Sequence, residues 1–376
     1  MFRRGLSLLH RWLGLFCGLY LACIGISGAA LVAAPHLFAW EYGIPSASAD
    51  DPARDYASPD VWLSKARAAY GQLPAIESFN APLATPMRIG APTMVYSTMR
   101  DGAYATGVIV VEPYSGAPLA HFIAQDSWSL VPLTLHMSLF LPYTLLWTVL
   151  ITLAWVLIVL VIAGILSWRS AGGWRRNLLP GFGKNAPALR RLHIAIGLWS
   201  MPVLMLTATT GLLMTDKSGA ERIYAMLGRA PSEVTPGAHP CAGTISPGQA
   251  LAIARQATPG TELGTLGVPD EMSGPDYRIT LRDRGSHVPA RGDTVVSVTP
   301  CGQLRSVRPA NSNFIGDSLS ATVSDIHGGR ALGLIGEALI VLGGLALFAL
   351  PLLGFLAWGR RLRRARSAPD EVARGE

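Results

Sequence analysis

Long apolar runs alternate with mixed polar stretches along this chain of 376 residues. A helix needs about 20 apolar residues to cross the hydrocarbon core of a membrane. Four runs are that long: Trp12 to Ala34, Leu139 to Trp168, His193 to Met214, and Ala338 to Trp358. The first run is longer than the apolar part of a secretory signal, and its pattern returns in the third run. The pattern therefore predicts four transmembrane helices.

Four histidines stand at equivalent places beside these runs and form two matched pairs. His10 and His193 each open a His-x-x-x-Gly-Leu motif, with another glycine eighteen residues after the histidine. His136 and His327 precede the runs that end in Gly-Ile-Leu-Ser-Trp and Gly-Phe-Leu-Ala-Trp, 28 and 27 residues from histidine to glycine. The spacing predicts a duplicated two-helix unit with one histidine per helix.

Composition and charge place both ends of the chain on one side of the membrane. Hydrophobic residues make up 50% of the chain and charged residues 15%, which suits membrane helices joined to water-soluble parts. Basic residues cluster before the first run, between the second and third, and after the fourth. By the positive-inside rule these segments are cytoplasmic. The net charge of +7 then reflects topology, and we expect no nucleic-acid partner.

This topology divides the chain into helices, two outer domains and short basic segments. The predicted order is a cytoplasmic N-terminus and first helix (1–35), first outer domain (36–131), second helix with an outer extension (132–168), basic loop (169–192), third helix (193–214), second outer domain (215–326), fourth helix with an outer extension (327–358) and basic tail (359–376).

The two outer domains share a pattern of helix followed by hairpin. Each opens with an amphipathic stretch introduced by a Ser-Pro cap, at Ser58 to Gly71 and at Ser246 to Ala257. Each later alternates apolar and polar residues on both sides of a turn, at Tyr104 to Phe122 and at Asp293 to Val307. We expect two α+β domains.

The four histidines are candidate haem ligands, because two helices can offer one imidazole each to opposite faces of a haem iron. Alternating helix directions put His10 with His193 at the cytoplasmic side, here named the inner pair. They put His136 with His327 at the opposite side, here named the outer pair. The chain has no Cys-x-x-Cys-His motif, so we expect two non-covalent b-type haems. His36 is an alternative outer ligand.

The predicted helix lengths place the outer pair far from the centre of the membrane. A continuous helix from His136 to Trp168 would rise about 48 Å, more than a hydrocarbon core of about 30 Å. We therefore expect the outer pair at or above the headgroups, with Glu337 as an interfacial carboxylate or a hydrogen-bond partner nearby. His121, His239 and His287 are expected to be ordinary histidines of the soluble domains.

Cysteines divide by compartment. Cys241 and Cys301 both fall in the second outer domain, where an oxidising environment favours a disulfide between them. Cys17 and Cys23 lie inside the first helix, where a free thiol behaves as a small hydrophobe.

A Pro-x-x-Gly turn closes a strand in each outer domain, within Glu112 to Gly116 and Thr299 to Gly302. Helix, strand and this turn resemble the PepSY domain. Together with the four histidine-bearing helices, the chain resembles the PepSY-associated transmembrane family, whose characterised members include haem-containing ferric-siderophore reductases of the bacterial inner membrane. The resemblance implies that a ferric siderophore is reduced in the periplasm.

The electron donor must be a separate molecule. The chain has no Walker or dinucleotide-binding motif, and its cytoplasmic segments are too short for a flavin or nicotinamide domain. A soluble cytoplasmic reductase and a membrane quinol both remain open. The leading hypothesis is a transmembrane ferric-siderophore reductase. The alternatives are a membrane protein that binds or regulates a periplasmic partner, and a cytochrome subunit of a separate oxidoreductase.

Overall fold

The computed structural model describes residues 2–44, 54–82, 84, 87–139, 141, 143–168, 186–229, 243–270, 274–283, 293–309 and 313–372. In chain order its helices are α1 (Phe2–Leu31), α2 (Ala34–Tyr42), α3 (Pro59–Tyr70), α4 (Val131–Ser138), α5 (Tyr143–Trp168), α6 (Ala186–Thr215), α7 (Lys217–Met226), α8 (Pro247–Ala257), α9 (Ile315–His327) and α10 (Gly333–Val372). The strands are β1 (Ser78–Asn80), β2 (Thr93–Arg100), β3 (Ala103–Val111), β4 (Pro118–Ile123), β5 (Thr261–Gly267), β6 (Tyr277–Asp283), β7 (Thr294–Val298) and β8 (Leu304–Arg308).

Helices α1, α5, α6 and α10 form the membrane bundle. Among the described residues, these four helices are long and apolar enough to cross a membrane, as the sequence predicts. Aliphatic side chains fill the space between them. Helix α1 approaches α10 so closely that a Cβ added to Gly25 would lie 2.7 Å from the carbonyl oxygen of Gly344. Small residues permit this approach between helix backbones.

The second and fourth membrane segments are broken rather than continuous. Leu139 ends α4 in the left-handed conformation, with φ of 49°, and α5 begins at Tyr143. Gly329 and Gly333 have φ of 79° and 57°, and they separate α9 from α10. A left-handed residue ends a helix and redirects the chain. No continuous helix runs from His136 to Trp168, and the short helices α4 and α9 carry the outer histidines.

The soluble part is built around one antiparallel sheet. Among the described strands the order is β4-β3-β2-β1-β5-β6-β7-β8. The first four strands come from the first predicted domain and the last four from the second. The two halves join where β1 pairs with β5, with Phe79 opposite Leu266. The two regions that the sequence treats as separate domains thus share a continuous sheet.

The predicted helix-and-hairpin elements are present in both halves. Ser58 caps α3, and Ser246 forms a capping box at the start of α8. The hairpins β3–β4 and β7–β8 turn at Gly116 and Gly302, whose φ values of 72° and 83° favour glycine. Helices α3 and α8 pack on one face of the sheet around a shared apolar core.

Helix α2 covers the other face of the first half of the sheet. Phe38 of α2 is fully buried in a cluster with Val108 and Val110 of β3. Glu41 of α2 accepts hydrogen bonds from the Ser127 hydroxyl at 2.8 Å and from the Ser129 backbone N–H at 2.9 Å. These bonds fix the segment that leads directly into α4. The fold of the first half therefore determines where α4 begins.

The cysteines of the bundle are free, and Cys301 is disulfide-bonded. Cys17 and Cys23 lie partly buried on α1 as free thiols. Cys301, in the turn between β7 and β8, takes part in a disulfide. Cys241 lies outside the described residues, so its pairing with Cys301 stays a prediction.

Candidate functional site

The inner pair lies where α1 and α6 face each other inside the bundle. The imidazole centroids of His10 and His193 are 6.1 Å apart, and the ring planes are inclined by 88°. His10 Nδ1 lies 2.9 Å from the carbonyl oxygen of Leu160, and His193 Nδ1 lies 2.9 Å from that of Leu350. A carbonyl can only accept, so both rings carry their proton on Nδ1. Nε2 is left as the nitrogen that can bind a metal.

The outer pair repeats this arrangement at the ends of α4 and α9. The imidazole centroids of His136 and His327 are 6.1 Å apart, and their planes are inclined by 57°. His136 donates from Nδ1 to the carbonyl oxygen of Ile24 at 3.0 Å. His327 Nδ1 lies 2.9 Å from Thr210 Oγ1, whose own proton goes to the Leu206 carbonyl. The hydroxyl oxygen therefore accepts from His327, and again Nε2 is left for a metal.

Each imidazole in the first half of the chain lies against a glycine of the other membrane segment. A Cβ built on Gly164 of α5 would lie 3.2 Å from Cε1 of His10. A Cβ built on Gly28 of α1 would lie 2.9 Å from Cε1 of His136. The contacts are thus reciprocal: each segment gives one histidine and one glycine to its neighbour.

The second half of the chain makes the equivalent contacts. A Cβ on Gly354 of α10 would lie 4.0 Å from Cε1 of His193, and one on Gly211 of α6 would lie 3.2 Å from Cε1 of His327. Gly211 is the glycine eighteen residues after His193, as Gly28 is after His10. The repeated spacing in the sequence therefore corresponds to a repeated packing contact, which the sequence alone did not reveal.

The geometry of both pairs fits a haem iron held between two imidazoles. An imidazole nitrogen binds a transition-metal ion at about 2 Å, so an iron between two rings holds their centroids about 6 Å apart. The centroid separation of 6.1 Å in each pair agrees with this spacing. Hydrogen bonding at Nδ1 fixes the tautomer and orientation that such ligation needs. No cluster of three or more His, Cys, Asp or Glu suited to another metal occurs among the described residues.

The two pairs lie at different heights in the bundle. His10 and Ile24, the contact of His136, are 14 residues apart on α1, which corresponds to about 21 Å along a helix. Aliphatic side chains such as Leu21 and Leu204 occupy the level between the pairs. Trp155 and Trp199 are 54% and 72% exposed on the outside of the bundle. Their exposure favours contact with lipid over a place between the pairs.

The outer pair contacts α1 within the helix rather than at its end, and its height relative to the headgroups stays a prediction. Ile24 lies seven residues before the end of α1, so His136 meets α1 about 10 Å below its outer end. The expectation that this pair lies at or above the headgroups assumed continuous helices. The breaks after α4 and α9 instead let both short helices place their last turns among the membrane helices.

An ion pair connects the sheet to the bundle above the outer pair. Arg88, buried and with φ of 54°, pairs with Glu337 of α10 at 2.9 Å. Its guanidinium also donates to the carbonyl oxygens of Leu31 and Val32, each at 3.4 Å. The side chains of Arg88 and Glu337 are only 11% and 22% exposed. Glu337 thus balances a buried cation, a role that sequence reasoning missed.

Further charged groups lie near the second outer histidine. Arg330, between α9 and α10, contacts Asp325 at 2.6 Å. Asp293, which precedes β7, contacts Arg282 at 3.1 Å. Burial raises the pKa of the Asp293 carboxyl, and the positive charge of Arg282 offsets part of that rise. The charges of Asp325 and Arg330 also act on Asp293, so the two pairs lie close enough to interact.

The other two described histidines, His36 and His121, do not join the two pairs. His36 is exposed on α2, and the structure brings His136 to His327 instead. His121 is exposed on β4, where its Nε2 lies 2.7 Å from the hydroxyl of Tyr96. Partial desolvation of the imidazole lowers the pKa of His121. His239 and His287 lie outside the described residues.

Comparison with known proteins gives one family. The family model for the PepSY-associated TM region matches residues 7–361, which is nearly the whole chain. No curated protein matches the sequence.

Proposed function

Because the chain belongs to the family of PepSY-associated transmembrane proteins, we propose that it is a b-type di-haem cytochrome that reduces a ferric siderophore outside the cytoplasm. The observation that carries the proposal is the meeting of four histidines in two pairs with the centroid spacing of a bis-imidazole iron site. Haem iron with two imidazole ligands has no open position, so it supplies electron transfer rather than oxygen chemistry.

The side chains of this chain prepare both sites for that role. His10 and His193 would hold the inner haem, and His136 and His327 the outer one. Backbone carbonyls and Thr210 hold the Nδ1 protons, which orients each ring and leaves Nε2 unprotonated. The aliphatic core around the pairs excludes water.

The reciprocal histidine and glycine contacts support a duplicated two-helix unit as the origin of the bundle. The first unit would comprise α1 with α4 and α5, and the second α6 with α9 and α10. Each unit contributes one ligand to each site, so neither unit completes a site alone. This shared construction accounts for the matched spacing of all four histidines.

The proposed orientation follows from charge. The positive-inside rule places both termini and the basic loop in the cytoplasm of a bacterium, and the sheet in the periplasm. The outer pair is then the one nearer to a water-soluble ferric siderophore. Hard oxygen donors hold Fe(III) more tightly than Fe(II), so the transfer of one electron to each ferric ion would promote iron release.

Haem content and chelate reduction test the proposal together. The protein is purified from a haem-sufficient host, haem is quantified per chain, and the dithionite-reduced form is mixed with several ferric chelates. We expect two haems per chain, reoxidation by a ferric siderophore and one Fe(II) per electron. His136→Ala and His10→Ala should each remove about one haem. His36→Ala is the matched control, because His36 is exposed and outside both pairs.

Each contrary outcome identifies a different failure. Absence of haem would favour a membrane protein that binds or regulates a periplasmic partner. Two haems without oxidation by any ferric chelate would favour a cytochrome subunit of a separate oxidoreductase. Retention of two haems in His136→Ala and His10→Ala would reject these residues as ligands.

A further inference from the structure

The end of the bundle near the inner pair carries an exposed cationic surface. Arg4, Arg11, Arg190 and Arg361 are exposed there, and we name these four residues the basic ring. The sequence has no Asp or Glu in residues 1–40 or in residues 127–215. Helix α10 continues as far as Val372, 18 residues beyond Gly354, or about 27 Å. The ring is thus cationic, and the acidic residues of α10 on this side, Asp370 and Glu371, come only at the end of that helix.

The basic ring is close to the inner pair. Arg190 precedes His193 by three residues on α6, which is about 5 Å along the helix. Arg4 precedes His10 by six residues on α1, which is about 9 Å along the helix. Arg361 follows Gly354, the neighbour of His193, by seven residues on α10. A protein bound to the ring would therefore lie within a few helical turns of the inner pair.

We propose that the basic ring docks a soluble, acidic one-electron carrier protein. The proposal rests on the proposed function, and it specifies the donor for the inner site. Complementary charge accelerates the encounter of redox partners and orients them. The redox centre of the carrier is oxidised by one electron and releases no proton. One Fe(III) of the ferric chelate is reduced to Fe(II) at the other end of the path.

The chemistry near the inner pair disfavours the alternative donor, a membrane quinol. Quinol oxidation releases two protons for every two electrons, so a quinol site needs a proton acceptor. The sequence offers no carboxylate in α1, α5 or α6. The Nδ1 atoms of His10 and His193 already donate to carbonyls, and Nε2 is reserved for iron. Glu337, the carboxylate of α10 nearest the bundle, is paired at the opposite end.

The test uses the haem-loaded protein in nanodiscs of phosphatidylcholine, a lipid without net charge. A reduced acidic plant-type ferredoxin is the probe, and its one-electron transfer is followed by stopped-flow absorbance without oxygen. Binding of the oxidised ferredoxin is measured separately by fluorescence anisotropy. Between about 20 and 500 mM salt, we expect the second-order rate and the affinity to fall at least tenfold, because salt screens the charges.

Charge reversal locates the docking surface. In Arg190→Glu/Arg361→Glu, the ferredoxin rate and affinity at low salt should fall about tenfold and lose most of their salt dependence. The matched control is Arg278→Glu/Arg308→Glu, which reverses two exposed arginines on β6 and β8 of the sheet. Its rate and affinity should equal those of the wild type. Haem content and the dithionite rate verify that both variants are intact.

Several results would overturn the docking proposal while leaving the proposed function intact. These are a salt-independent ferredoxin rate, equal effects of the two reversals, and rapid reduction by a water-soluble menaquinol but not by ferredoxin. Binding of anionic vesicles without any binding of ferredoxin would assign the ring to lipid. Failure of the proposed function differs, because haem or the dithionite-driven reduction of a ferric chelate would then be missing.

Discussion

Replacement of Gly28 by alanine should weaken the outer haem site and spare the inner one. The added methyl group would lie 2.9 Å from Cε1 and 3.1 Å from Nδ1 of His136. Ordinary van der Waals contact begins at 3.4 Å, so the ring must retreat by about 0.5 Å. The ring cannot retreat freely, because His136 Nδ1 donates a hydrogen bond to the carbonyl oxygen of Ile24 at 3.0 Å.

The size of the effect follows from overpacking. Extra methyl groups in a packed interior cost about 1–3 kcal/mol. If this strain acts on the ligand-bound geometry, haem affinity at the outer site falls about 5- to 150-fold. Alanine also has a higher helix propensity than glycine by about 1 kcal/mol. That gain stabilises the helix with and without haem, so it does not restore the affinity.

Gly354→Ala is the matched control, because its methyl group would lie 4.0 Å from His193 Cε1, an ordinary contact. Gly211→Ala and Gly164→Ala, both at 3.2 Å, should have intermediate effects. Haem per chain is measured by pyridine haemochrome after graded competition with apomyoglobin. The reasoning is refuted if Gly28→Ala keeps two haems under competition as firmly as the wild type, or if Gly354→Ala loses haem more readily than Gly28→Ala.

Three further predictions concern the ligand planes, the ion pair and the disulfide. The ring planes are inclined by 88° in the inner pair and by 57° in the outer pair. The two haems should therefore give two low-spin EPR signals, with the larger maximum g value from the inner haem. A single signal would contradict a difference in ring inclination between the two sites. Glu337→Gln leaves the buried Arg88 cation unbalanced and should lower the free energy of unfolding by about 1–3 kcal/mol, below the value for a fully buried pair because both side chains are partly exposed. Arg88→Met/Glu337→Met should recover most of that loss in thermal unfolding, and no recovery would reject the charge argument. Alkylation of unreduced, denatured protein should leave Cys241 and Cys301 unlabelled, whereas labelling of both would exclude their disulfide.

Local patterns predicted much of the fold because their causes are local. The length of an apolar run decides whether a helix can cross a membrane, so four spans were predictable. Ser-Pro caps and glycine turns act within a few residues, which explains why α3, α8 and two hairpins were expected correctly. The three-residue strand β1 is too short for such a signal, although it joins both halves of the sheet.

The candidate site also has features that the sequence determined and features that only the tertiary structure determined. The sequence by itself determined which four histidines are equivalent, because duplicated spacing is visible without a fold. Only the tertiary structure decided that the two rings in each pair stand 6.1 Å apart and that glycines lie against them. It also decided that the second membrane segment breaks at Leu139, where the sequence offers only Pro142, three residues later, as a helix-stop signal. The pairing of Arg88 with Glu337, 249 residues away, likewise came only from the tertiary structure. Such features depend on contacts between distant segments, and the chain acquires those contacts only when its helices and sheet pack together.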